Sequence, residues 1–74
     1  MSTLKIGSVG ANVRELQRRL KELGYQIEVD GWFGDETEKA VIDFQQKNNI
    51  TAIGEVGPRT MSDLGARSAD RNVP

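Results

Sequence analysis

The sequence predicts an all-α domain: a compact three-helix bundle with short extended loops, built from three G-x-x-G loop-helix units. A repeated signature carries most of this expectation. The pattern G-x-(apolar)-G-x-x-(Val or Thr) occurs at Gly7-Ser8-Val9-Gly10 with Val13, at Gly31-Trp32-Phe33-Gly34 with Thr37, and at Gly54-Glu55-Val56-Gly57 with Thr60. These pairs hold six of the eight glycines, and helix-spaced apolar residues follow each one, so loop and helix alternate as an internal repeat. Length supplies the next constraint, because 74 residues allow a single small core. The chain also has no Cys and no His, and a domain this small without disulfides or a metal depends on well-formed helices and local capping. The same absence removes the usual zinc sites, the Cys nucleophile and the Ser-His-Asp arrangement.

Residues 1–9 place Leu4, Ile6 and Val9 as an extended apolar approach that closes one end of the core. The apolar residue inside each glycine pair, Val9, Phe33 and Val56, is expected to plug the core. Trp32 stands where the other units carry Ser8 and Glu55, so it is expected to point the other way. A first helix runs from about Ala11 to Leu23, because Val13, Leu16, Leu20 and Leu23 recur at helical spacing. Its outer face carries Arg14, Glu15, Arg18, Arg19, Lys21 and Glu22, and Gly24 reads as the left-handed residue that ends it. The stretch Tyr25 to Val29 alternates but is too isolated for a sheet, and it reads as a loop with Tyr25 and Val29 inward or half-buried.

A second helix spans about Asp35 to Lys47, with Thr37, Ala40, Val41 and Phe44 on one face. Asp35 with Glu38 resembles a capping box, and Gly34 is the alternative cap. Asn48-Asn49 ends this helix. Pro58 suits a first helical turn, and a short third helix is expected from Pro58 to Leu64, closed by Gly65. The domain is therefore drawn over residues 1–65, with 66–74 a linker or disordered tail.

Ten basic and eleven acidic residues leave a net charge of −1. No whole-domain field draws this chain to nucleic acid or anionic lipid. There is no apolar run long enough for a membrane span, and no signal-peptide pattern follows Met1. An absence of cysteine fits any redox compartment.

Leu4 to Leu64 closely resembles the peptidoglycan-binding domain found beside the catalytic domains of bacterial and phage cell-wall hydrolases. The resemblance rests on the three glycine pairs with Val13, Thr37 and Thr60, on Leu16-Gln17 and Leu20, on Leu23-Gly24-Tyr25, on Asp30, on Ala40-Val41 and Phe44-Gln45, and on Leu64. It implies a non-catalytic module that anchors a linked lytic enzyme to peptidoglycan at the bacterial cell wall. The implied module is a monomer with no cofactor and no nucleic-acid or membrane partner. A phage endolysin is a fitting parent, and a secreted autolysin without its leader would look the same. The family often has Trp or Tyr after the third unit's threonine, where this chain has Met61. A related domain serves as the inhibitory pro-region of matrix metalloproteinases through a nearby cysteine, which this chain lacks.

For a sugar-peptide ligand, Trp32 is the leading candidate contact, since an aromatic ring offers a rigid face to a pyranose at little entropic cost. Tyr25 can add a ring and a hydroxyl. Asp30 can accept hydrogen bonds from the ligand, although an Asp before Gly more often bonds its own turn. Gln17 and Gln45 lie beside core positions, where their amides either satisfy loop backbone or line a groove. Arg14 and Arg18 either meet stem-peptide carboxylates or form a solvated helix face. The alternative function is a helical nucleic-acid or protein-interaction module using the basic face of the first helix, but the third helix offers only Arg59 and Asp63 as prominent charges. Independent glycoside cleavage is disfavoured, because it needs two carboxylates held across a cleft and the acids here are scattered.

Overall fold

The computed structural model describes residues 3–70, the side chains of 66–70 excepted. Its helices are α1 (Ala11–Glu22), α2 (Asp35–Lys47) and α3 (Pro58–Asp70), and α1 packs against both of the others. Extended pairing among the described residues is limited to two isolated antiparallel bridges, Leu4 with Val56 and Val9 with Trp32.

Each helix starts on the second glycine of a repeat unit. The carbonyls of Gly10, Gly34 and Gly57 accept from the backbone N–H groups of Arg14, Glu38 and Met61 at 3.2, 3.0 and 3.1 Å. Gly34 is therefore the cap of α2, with no side-chain cap bond, and Asp35, Glu36 and Glu38 fill the first turn, where acids complement the helix dipole. Two helices end alike. Gly24 (φ 106) and Asn49 (φ 58) are left-handed, and the residue after each, Tyr25 or Ile50, donates back to Leu20 or Gln45 at 3.1 and 2.9 Å. This is the Schellman arrangement, and it turns Tyr25 and Ile50 onto the core.

The core consists of Val13, Leu16, Leu20, Phe33, Ala40, Val41, Phe44, Val56 and Leu64. Phe33 and Val56 plug it as expected, but Val9 does not: it is 72% exposed, and Ile6 is also exposed. The cause is the pairing of one glycine loop with another. Gly7 N–H donates to the Phe33 carbonyl, Phe33 N–H to Ser8, and Gly10 N–H to Gly31, each at 2.9 Å. Directly opposed residues in an antiparallel pair share a face, so Ser8 lies with Phe33 and Val9 lies outside with Trp32. Val29 is likewise exposed, and Ile27 packs beside Tyr25 in its place.

α3 departs furthest from expectation. It continues through Gly65 to Asp70 instead of closing at Leu64, and Gly65 is not left-handed. A glycine inside a helix costs about 0.5–1 kcal/mol, and here it lies where the Arg19 guanidinium of α1 comes within ordinary contact distance. Of the expected tail, residues 66–70 are thus helical, and 71–74 lie outside the described residues.

Gln45, 1% exposed, joins α2 to the third glycine loop. Its Oε1 accepts from Gly54 N–H at 3.1 Å, and its Nε2 donates to the Glu55 carbonyl at 2.8 Å and to Thr60 Oγ1 at 3.3 Å. Replacing it with an isosteric apolar side chain strands these buried partners. Gln45→Leu should lower unfolding stability by roughly 1–3 kcal/mol in urea titration, while the emission of Trp32, which lies on the other loop, stays unchanged.

Candidate ligand-binding groove

Gln17 of α1 repeats the Gln45 device on the second glycine loop, with more bonds. It is 1% exposed. Its Oε1 accepts from the backbone N–H groups of Asp30 (3.0 Å) and Gly31 (2.8 Å). Its Nε2 faces three acceptors: the Trp32 carbonyl at 2.8 Å, Thr37 Oγ1 at 3.0 Å and Asp30 Oδ1 at 3.0 Å. Both ends of the amide are occupied by one turn, so Gln17 positions the loop and has little left to offer a ligand.

Asp30 closes the turn on itself, since its Oδ1 also accepts from Trp32 N–H at 3.0 Å. That backbone donor, followed by the Gln17 amide, holds its carboxyl below the ordinary value of 3.8. Gly31 (φ 79) sits under the Arg14 side chain, whose Cγ would be only 3.2 Å from a Cβ added there. The backbone angle calls for glycine, and a Cβ there would also press on the Arg14 side chain.

Trp32 is 56% exposed. A Cβ added to Gly34 would lie 2.5 Å from its Cζ3 and 2.8 and 2.9 Å from Cη2 and Cε3. The two ring neighbours are only a few tenths of an ångström farther than Cζ3, as they are for a point above the ring face; an approach in the ring plane would leave them much farther away. One face of the indole therefore lies on the Gly34 backbone, while more than half of the residue stays exposed. The Gly34 backbone (φ −106) would accept any residue, so the ring demands the glycine. Gly57, its counterpart in the third unit, has nothing within 4 Å.

Beside the ring lies a groove of 460 Å³. Gln17, Thr37, Trp32 and Gly34 line it together with four carboxylates, Glu28, Asp30, Asp35 and Glu36, and no Lys or Arg among the described residues does so. The remaining candidates lie elsewhere. Tyr25 lines neighbouring grooves that share Glu36 with this one, and its hydroxyl donates to Asp43 Oδ2 at 2.6 Å. Burial, and then this bond, push the phenol well above its ordinary range. Arg14 covers the Gly31 turn. Arg18 is paired with Glu15, which also takes Arg19 at 2.9 Å, so the basic face of α1 is partly neutralised within the helix.

Residues 9–64 match the family described as a peptidoglycan binding domain. The chain belongs to this family. The N-acetylmuramoyl-L-alanine amidase CwlL of Bacillus licheniformis is 36% identical over 74 residues, covering 96% of this chain and 21% of the amidase. Among solved structures, the SleB N-terminal domain superposes with a TM-score of 0.87 at 37% identity, over 90% of this chain and 93% of that one. A Burkholderia AP3 phage endolysin superposes with a TM-score of 0.84 at 40% identity, over 88% of this chain and 25% of the endolysin. The chain thus spans about a fifth of the curated amidase and a quarter of the endolysin.

In this peptidoglycan-binding domain the structure brings Trp32, Asp30 and Gln17 together and leaves Tyr25, Arg14 and Arg18 outside the groove lining. Sequence reading missed Gly34 as the seat of the ring, because the repeat aligns it with glycines that serve only as caps. It also missed Glu28, Asp35 and Glu36 as groove residues. The available signal was four acids within four positions of Trp32 and no base among residues 22–38.

Gly34→Ala should unseat the indole and change its near-ultraviolet circular dichroism and emission, whereas Gly57→Ala should leave both unchanged and shift stability by no more than about 0.5 kcal/mol. Asp30 gives a second expectation. A carboxyl whose folded pKa is depressed contributes stability that is present above its unfolded pKa and lost as pH falls through the folded value. The contribution of Asp30 should therefore fade below pH 3.8, and unfolding midpoints followed into acid should fall less steeply in Asp30→Asn than in the parent.

Proposed function

We propose that this domain is a non-catalytic module that holds a linked cell-wall lytic enzyme on peptidoglycan, acting as a monomer at the bacterial cell wall. The observation that carries this reading is the indole of Trp32, seated on Gly34, more than half exposed and lining a groove. A large exposed ring fixed in this way has no role in the core. In the proposal Trp32 supplies the main contact, Asp30 adds acceptor capacity at the groove, and Gln17 holds the loop that presents both, while Tyr25, Arg14 and Arg18 are secondary contacts outside its lining. The relatives include an amidase and an endolysin far longer than this chain, as expected for a domain joined to catalytic ones.

Tethering works by effective concentration, so even weak affinity at the module retains an enzyme on an insoluble substrate. The direction of the Asp30 shift does not suit this residue to a general-acid role. A glycosidase acid needs its pKa raised, and Asp30 is held low. Among the described residues no group of three or more acidic side chains is arranged to hold a metal.

Co-sedimentation with purified, protein-free sacculi tests the reading. The parent domain should pellet, and Trp32→Ala, shown to be folded by circular dichroism, should lose at least about tenfold in affinity, the scale of a buried aromatic anchor. Equal pelleting of both proteins would place the site elsewhere on the surface. If neither pellets across several wall chemotypes, the anchoring function is wrong.

A further inference from the structure

We infer that the Trp32 groove recognises the glycan strand of peptidoglycan, a chain of N-acetylated amino sugars that is neutral where its lactyl carboxyls are amide-bonded to stems, and rejects the free carboxylates of the stem peptide. This deepens the wall-binding reading and rests on it. The first support is the geometry of the ring. A pyranose presents an apolar C–H face, and stacking it requires a flat aromatic surface that does not have to be ordered on binding. The indole meets that need: the Gly34 backbone lies against one face and fixes its plane, while 56% of the residue remains exposed. Val9, bridged to Trp32 and 72% exposed, adds an aliphatic surface beside it.

The second support is the hydrogen-bonding character of the groove. Glu28, Asp30, Asp35 and Glu36 are acceptors, and a glycan strand offers hydroxyl and acetamido N–H donors, which carboxylates accept strongly. A stem peptide brings free carboxylates of its own. Placing them against these four without an intervening cation is repulsive, and rejection by like charge is a recognised source of specificity. The basic groups nearby are otherwise placed: Arg14 covers Gly31, Arg18 pairs with Glu15, and Lys21 and Lys39 line the neighbouring grooves. Asp35 and Glu36 also suit the first turn of α2 on dipole grounds alone, so the acids by themselves would identify nothing. The seated ring, which helix formation does not require, carries the assignment.

Trp32 is the only tryptophan, so intrinsic emission reports this face alone. The test titrates the whole 74-residue chain with a neutral β-1,4-linked N-acetylglucosamine tetramer and, separately, with a free stem tetrapeptide, and uses each as a competitor against sacculi. The expected result is a saturable change in emission and displacement from sacculi by the tetramer, neither by the peptide, and a tetramer affinity that changes less than about twofold between 0.05 and 0.5 M salt. Displacement by the peptide but not the tetramer, by neither, or a loss of affinity greater than about tenfold across that salt range would overturn the glycan assignment while leaving wall binding intact. Failure to sediment with sacculi at all would instead remove the wall-binding reading beneath it.

Discussion

The arrangement of this domain depends on two buried glutamine amides that have nowhere to place their polar atoms except on the next glycine loop. Taking an amide out of water is costly unless its donors and its acceptor are all matched. Gln17 and Gln45 are each about 1% exposed, and each finds its partners in one loop and the first turn of the helix after it: a glycine N–H for the oxygen, and a loop carbonyl and a threonine hydroxyl for the nitrogen. A loop held at three points by a rigid helix has one shape. Around Gln17 that shape fixes Asp30, the carbonyl of Trp32 and the start of α2 together, so the candidate site inherits the stiffness of α1. Where the second and third units carry Thr37 and Thr60, the first carries Val13, fully buried in the core.

Much of this was legible from residue order. Helical periodicity identified the core-facing residues of α1 and α2 because burial of an apolar stripe is what holds a helix in a protein this small. Gly24 and Asn48-Asn49 marked two helix ends correctly, since each end places a left-handed residue where the chain must reverse. Gly65 resembles the same signal and is not one. A glycine ends a helix only when the following residue can fold back and bond to the last turn, and α3 continues instead. The exposure of Val9 and Ile6 was out of reach for a different reason. Which face a loop residue takes depends on which other loop it pairs with, and that partner is 23 residues away for Val9.

The candidate site was readable to the same limited depth. An aromatic residue out of register with its repeat is a local signal, and Trp32 gave it. The Asp-Gly sequence at Asp30-Gly31 signalled a turn that bonds to itself, which is how Asp30 spends one oxygen. For Gln17 the residue type left two uses open, and the buried turn settles which one the fold makes of it. Gly34 could not be distinguished from Gly57 in sequence, because the difference between them is the ring that rests on one and not on the other.

The relay of amides also has a direction, and it stops. Each glutamine fixes the unit after its own, so order is passed forward along the chain from α1 to α2 to α3. Residues 58–70 of α3 contain no glutamine. A fourth glycine loop placed after them would have no buried amide to grip it. Solenoid repeats offer the same surface to the next copy and can be lengthened indefinitely, whereas α3 offers no amide to a following unit. The count of three is written into side-chain chemistry, and fusing further copies end to end should yield separate beads instead of one longer rod.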